Sequence, residues 1–191
     1  MASNVPQHIK DLVKREENEA LYLGKVEAEV YSDADGYSAG YGHYLTDEEL
    51  KKYPPGSPVP QDQVDAWFEA DISKSYNAAV AQNSQLPENV DIGRFTSVNY
   101  QLGPNWNKDF EDTWNLMLSG RFREASKEAL NSKWYREQTP ERALKFADAL
   151  NDASTEEVTL FPRRQNLVAQ GVDTPTEMRE GFNAGGRTRL I

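Results

Sequence analysis

The chain has 191 residues and carries 31 Asp and Glu against 21 Lys and Arg, a formal net charge of −10, which argues against generic binding to nucleic acid or to an anionic membrane, since both require a concentrated positive field. Cysteine is absent and His8 and His43 are the two histidines, so a disulfide framework, a thiol nucleophile and a thiolate or histidine-rich metal site are excluded, and no metal or cofactor is expected. No apolar run approaches the roughly 18 residues that span a bilayer, and the start, Met1 to His8, lacks the basic and apolar regions of a signal peptide, so a soluble product without stable membrane insertion is expected.

In chain order, Ile9 to about Glu19 reads as a first helix, with Ile9, Leu12 and Val13 on one side. Leu21 to Tyr31 follows, where Val26, Ala28 and Val30 alternate with polar residues in the period of a half-buried strand, and Asp33 to Gly36 supplies turn chemistry. A small antiparallel sheet is expected from about Leu21 to Tyr44. The proline-rich stretch Pro54 to Pro60 reads as a loop, because proline removes backbone donors and restricts the residue before it.

From Gln61 to about Gln82, apolar Val64, Trp67, Phe68, Ile72 and Tyr76 recur at three- and four-residue intervals, predicting one long amphipathic helix. Helical patterns continue over Ile92 to Leu102, Phe110 to Leu118, Phe122 to Leu130 and Pro140 to Leu150. Thr139 before Pro140 and the run Thr174-Pro175-Thr176-Glu177 carry helix-start signals, and Gly185-Gly186 suggests a frayed tail.

Hydrolysis of a glycosidic bond needs a pair of carboxyl groups, one to protonate the leaving oxygen and one to activate water or stabilise positive charge. Among so many acids, Glu17 and Asp33 stand out through their setting. A helix ends in Leu12-Val13-Lys14-Arg15-Glu16-Glu17, a turn carries Asp33, and Gly36-Tyr37-Ser38-Ala39-Gly40-Tyr41-Gly42-His43 follows. Glu16 and Glu19 remain alternative placements of the acid, and Asp35 competes with Asp33.

This arrangement resembles the phage-type lysozymes, the muramidases of the T-even class and of glycoside hydrolase family 24. In that family a first helix ends in a catalytic Glu, and a hairpin reads Tyr-x-Asp-x-x-Gly, then Thr-x-Gly-x-Gly-His. The matching residues are Tyr31, Asp33 and Gly36, then Ser38, Gly40, Gly42 and His43. Asn99-Tyr100-Gln101-Leu102-Gly103 and the run from Ser132 to Ala143, with its Trp-Tyr, Gln-Thr-Pro and Arg-Ala elements, extend the likeness in order over roughly residues 10 to 150.

The resemblance implies an α+β, mainly helical, lysozyme-like fold in which a small N-terminal β-sheet lobe and a helical C-terminal lobe are joined by a long helix. A single domain over 1–191 is expected, divided into 1–60 (first helix and β-lobe), 61–82 (interlobe helix), 83–150 (helical lobe) and 151–191 (helical extension). It also implies Glu17 as general acid, Asp33 as the carboxylate that orients water or stabilises the oxocarbenium-like centre, and Ser38 as a water-holding hydroxyl at the family's threonine position. Tyr37, Tyr100 and Gln101 become candidate substrate contacts. His43 is expected to pair structurally with Asp71, and Arg142 to approach and tune Glu17 electrostatically.

The sequence departs from the family pattern at the sixteen-position spacing between Glu17 and Asp33, which makes residues near Leu23 to Ala28 look inserted, at a shortened turn between Gly36 and Ser38, and at Asn18, where glycine commonly follows the catalytic acid. The function implied is cleavage, with inversion, of the β-1,4 bond between N-acetylmuramic acid and N-acetylglucosamine in bacterial peptidoglycan. The enzyme would serve as a phage endolysin in host cytoplasm or as a virion-carried wall enzyme, monomeric unless part of a virion. The alternative is a catalytically silent, lysozyme-like module that binds glycan or a virion partner. So acidic a chain acting on an anionic wall polymer is expected to show salt sensitivity or a positive patch near Arg142.

Overall fold

The computed structural model describes the backbone of residues 4–33 and 36–169, with side chains described as far as Ser154. Asp35, the helix-start signal at Thr174 to Glu177, the Gly185-Gly186 tail and most of the expected extension lie outside the described residues. The chain divides into two compact units, Met1–Ser154 and Thr155–Ile191, and every candidate site residue belongs to the first.

The first helix, α1 (Gln7–Tyr22), breaks at Asn18, whose φ of −154° and ψ of 86° are not helical. Asn18 Oδ1 accepts from the Leu21 amide at 3.0 Å, so the side chain caps the turn that restarts after the break. That turn closes with paired bonds from Gly24 N to Leu21 O and from Lys25 N to Ala20 O, the double-bonded ending that satisfies the last carbonyls. The strand expected from Leu21 onward therefore starts later: Leu21 and Tyr22 finish a helix, Val26 is 48% exposed, and only Ala28 and Val30 of the alternating trio are buried.

Two small antiparallel sheets follow. Strand β1 (Ala28–Glu29) pairs with β5 (Pro58–Val59), placing a strand inside the stretch read as a proline loop. Strands β2 (Tyr31–Asp33), β3 (Gly36–Ala39) and β4 (His43–Tyr44) form a three-stranded sheet in chain order. Between them and β5, α2 (Asp47–Lys52) starts with a reciprocal capping box in which Thr46 and Glu49 satisfy each other's backbone amides.

Helix α3 (Gln61–Asn83) buries Val64, Trp67, Phe68, Ile72, Ser75, Ala79 and Gln82, a continuous three-four stripe. Its first half packs with Ile9, Val13 and Ala39 in one apolar cluster, whereas Ala79 belongs to a second built from Phe95, Trp106, Met117, Phe122, Phe146 and Leu150. Burial of each such large side chain stabilises the fold by roughly 1.5–3 kcal/mol. The helix thus bridges two cores, and its polar Gln82 accepts from Asn99 Nδ2 at 2.8 Å and from the Trp106 indole at 3.1 Å inside the second.

The remaining described elements are helical: α4 (Ile92–Leu102), α5 (Trp106–Asp109), α6 (Glu111–Leu118), α7 (Phe122–Leu130), a π-helical turn over Trp134–Gln138, and α8 (Pro140–Ala169). Helix α4 starts where Asp91 Oδ1 accepts from the Arg94 amide at 2.7 Å, and buried Gly93 lets it approach Ile9 and Leu12 of α1. The result is the mainly helical α+β arrangement with a small antiparallel sheet expected of a lysozyme-like fold.

Candidate active site

The break at Asn18 makes Glu17 the last residue of the first helical segment of α1. Its side chain is 18% exposed, and Oε1 accepts from Arg142 Nη1 of α8 at 2.7 Å. A Cβ added to Gly42 would stand 3.6 Å from Oε2, so the loop between β3 and β4 runs alongside the carboxyl. Burial raises the Glu17 pKa above the ordinary glutamate value; the Arg142 charge and hydrogen bond oppose this, and neighbouring Glu16 adds to it. Desolvation wins, giving a carboxyl group biased toward its protonated form.

Glu16 and Glu19 have different surroundings. Glu16 is held below the ordinary value despite burial, because Ser97 donates to it and Arg94, Arg142 and Lys145 surround it. Glu19 is exposed. Of these acids, Glu17 alone combines burial with an upward shift.

Asp33 ends β2 on the exposed side of the sheet. Its Oδ2 accepts from the hydroxyl of Ser38, 1% exposed, at 3.0 Å. The pairing register sets Tyr31 opposite Ser38 and Asp33 opposite Gly36, so the Asp33–Ser38 bond runs diagonally between residues two ladder positions apart on one face. The stretch from Gly36 to Ser38, read as shortened, lies within β3, and the β2–β3 ladder brings the two residues together.

Tyr31 ties this pair to Glu17. Its phenol is held above the ordinary value first by desolvation, then by the charges of Asp33 and Glu17 together. One side chain thus feels both carboxylates. Tyr31 lies two positions before Asp33, hence on the same strand face. On the other flank of Ser38 stands Tyr44, its register partner in β4, whose ring covers Gly36 closely enough that a Cβ there would collide with its hydroxyl.

Tyr37, a candidate substrate contact, is partly buried on the other face of β3 from Ser38. Strand alternation turns it with Ala39 to the opposite face, where it packs against the cluster of Ile9, Val64 and Phe68. Tyr31 and Tyr44, 46% and 54% exposed, take the face shared with Ser38. The Tyr-x-Asp spacing held the signal for Tyr31.

On α4, the Tyr100 hydroxyl donates to Tyr41 O at 2.9 Å and its ring packs 5.8 Å from Phe68. Burial and then the Glu17 charge push its phenol pKa up, so it sits within electrostatic reach of the acid. Gln101 is held by its neighbours: Nε2 donates to Thr139 Oγ1 at 2.7 Å and Oε1 accepts from the Trp134 indole at 3.1 Å. One amide hydrogen and one lone pair remain. The π-helical turn, with its bond from Thr139 N to Trp134 O, sets Trp134 in this position.

His43 Nδ1 lies 2.6 Å from Asp71 Oδ2, the pairing expected from the resemblance. Its other nitrogen lies 3.4 Å from both Glu49 oxygens, and its ring stacks 4.5 Å from Trp67. Although burial opposes it, Asp71 and then Glu49 raise the His43 pKa. Partial burial likewise opposes, but Thr46, Trp67 and His43 together hold Glu49 down to about 2. This cluster braces β4 against α2 and α3.

Arg15, Arg94, Arg142 and Lys145 also line a cavity of about 490 Å³ with Glu16, Glu19 and Glu141, so the cations near Arg142 are largely offset by acids. Among the described residues, no group of three or more His, Asp or Glu side chains is arranged to hold a metal ion, and no helix is long and apolar enough to cross a membrane.

No protein-family model matches the sequence. Among curated proteins, the chain is similar to the peptidoglycan hydrolase gp36 of Pseudomonas phage phiKMV, with 34% identity over 121 residues. The match covers 62% of this chain and 13% of that protein, so the chain corresponds to a small part of its relative.

Proposed function

We propose that this chain is a phage peptidoglycan hydrolase of the muramidase type, which cleaves the β-1,4 bond between N-acetylmuramic acid and N-acetylglucosamine. The observation that carries the proposal is the inequality of two carboxyl environments within reach of one phenol: Glu17 buried with a raised pKa, and Asp33 exposed and bonded to a buried hydroxyl. Paired acids in contrasting environments are what glycosidic cleavage requires. Similarity to a phage peptidoglycan hydrolase supports the choice of substrate.

Glu17 donates its proton to the leaving oxygen. Asp33 and Ser38 hold a water on the other side of the sugar, Asp33 as base and Ser38 as its orienting hydroxyl, and attack from that side inverts the anomeric centre. Tyr100 flanks the acid, and Gln101 offers substrate its remaining amide hydrogen. The protein acts on the bacterial wall as a phage product, delivered from host cytoplasm or carried on the virion.

The test is to incubate purified peptidoglycan with the wild type and with Glu17→Gln and to measure new reducing ends, with NMR of the first-formed anomer. Release by the wild type, lost in the variant and giving the inverted anomer, is the expected result. Equal release by both refutes the assigned acid. No release by either favours a glycan-binding virion module.

A further inference from the structure

Arg142 spans two consecutive acids of α1. Its Nη1 lies 2.7 Å from Glu17 Oε1 and its Nε 3.7 Å from Glu16 Oε2. Arg142 and Glu16 are each 9% exposed at the side chain. Glu16 is anchored in turn: Arg94 Nη1 and Ser97 Oγ of α4 each donate to it at 2.5 Å, and Lys145 Nζ of α8 lies 3.3 Å away, itself bonded to Glu141 at 2.8 Å.

A guanidinium is a planar fork that engages a lone carboxylate through two parallel bonds. A general acid gripped in that way stays ionised and has no proton to give. We propose that Glu16 is a positioning residue for Glu17, drawing part of the Arg142 fork to itself so that Glu17 receives a single hydrogen bond and a shared charge. This inference rests on the reading of Glu17 as the general acid.

The groups facing the pair agree on direction. Glu17 faces Arg142 from α8, Glu16 on its own helix, and the phenols of Tyr31 from β2 and Tyr100 from α4. Glu16 faces Arg94 and Ser97 from α4, and Arg142 and Lys145 from α8. Neutralising Glu16 removes a negative neighbour, frees the Arg142 fork, and leaves Arg94 and Lys145 less compensated. All three changes favour the ionised form of Glu17. The raised Glu17 pKa, to which Glu16 contributes after burial, has the sign this arrangement requires.

The experiment uses Glu16→Gln and the charge-balanced Glu16→Gln/Arg94→Gln in the full chain. Folding is checked by thermal melting. The Glu17 carboxyl is titrated by 13C NMR, its signal identified by its absence in Glu17→Gln, and reducing-end release is followed against pH. The Glu17 midpoint and the alkaline limb of activity are expected to move down together by about one pH unit in both variants, roughly a tenfold loss of rate on the alkaline side, with a smaller loss on the acid side.

An unmoved midpoint in folded protein, even with activity lowered uniformly, overturns the proposal. So does a midpoint restored by the second substitution, which makes Glu16 only the counter-ion of Arg94. If Glu16→Gln does not fold, the balanced variant decides; if neither folds, Glu16 is a structural ion and the proposal falls. A wild type that releases no reducing ends defeats the hydrolase reading alone, because the titration still decides the role of Glu16.

Discussion

Ser38 Oγ, almost fully buried, donates to Asp33 Oδ2 at 3.0 Å across the β2–β3 hairpin. A hydrogen bond to a charged group contributes about 1.5–3 kcal/mol, and each 1.4 kcal/mol is a factor of ten in rate. Ser38→Ala is therefore expected to lower unfolding stability by up to about 3 kcal/mol and, with Ser38 as the proposed water-orienting hydroxyl, to lower kcat on peptidoglycan by at least about 10-fold in protein that remains folded. Unchanged kcat would remove Ser38 from the reaction and leave it a strand hydroxyl.

The second expectation concerns Arg142. Because its charge and hydrogen bond pull the Glu17 pKa down against burial, Arg142→Gln lets burial act unopposed. With Glu17 as the proposed general acid, the alkaline limb of activity should then move up by about one pH unit, opposite to the change expected for Glu16→Gln. A pH–rate profile of the folded variant checks the sign.

The His43–Asp71 pair gives a stability prediction with a defined pH window. The His43 pKa is raised above its ordinary 6.5, so its contribution is full below that value and is lost as pH rises through the folded pKa. Asp71 is depressed below 3.8, held there against burial by His43 and Lys74, so its contribution is present above 3.8 and lost as pH falls through the folded pKa. Asp71→Asn should therefore cost most near pH 5, about 1–2 kcal/mol for a part-buried, solvent-screened pair, and progressively less above neutrality. Denaturant melts at several pH values measure this; a cost independent of pH would mean the two groups do not titrate as a pair.

Two glycines of the β3–β4 loop should respond unequally to alanine. Gly42 has φ of 82° but only ordinary contact with Glu17, so Gly42→Ala is expected to cost about 1–2 kcal/mol from the backbone alone. Gly40, at φ of 65°, would drive its new Cβ to 2.7 Å from Val64 Cγ1, and Val64 is fixed in the core. Overpacking adds about 1–3 kcal/mol there. Equilibrium unfolding of both variants should show the larger loss for Gly40→Ala.

Legibility in the sequence followed the length of each pattern. The stripe from Val64 to Gln82, and the helices Ile92–Leu102 and Phe122–Leu130, repeat an apolar spacing often enough to declare themselves. A two-residue strand such as Pro58–Val59 contains no period, and its existence depends on Ala28 and Glu29 arriving beside it. Helix α2 did carry a local signal, Thr46 three residues before Glu49, which its brevity obscured.

Within the site, Glu17, Asp33, Ser38, His43 and Asp71 could be singled out because motif spacing names residues along the chain. That Tyr31 and Tyr44 share a strand face with Ser38 while Tyr37 takes the other could not, because the face a tyrosine takes is fixed by strand register. The role of Arg94 and Ser97 around Glu16 depends on the close packing of α1 and α4 at Gly93, a contact between segments about eighty residues apart.

The break in α1 works as an expansion joint. Upstream of it, Ile9 and Val13 anchor the helix in the core, and Glu17 is tied to Arg142. Downstream, the turn capped by Asn18 and closed at Gly24 satisfies its own backbone groups. Residues Leu23 to Glu27, exposed beyond that closed turn, thus form a graftable segment, where a designer can vary length and chemistry at a point set apart from the anchored helix.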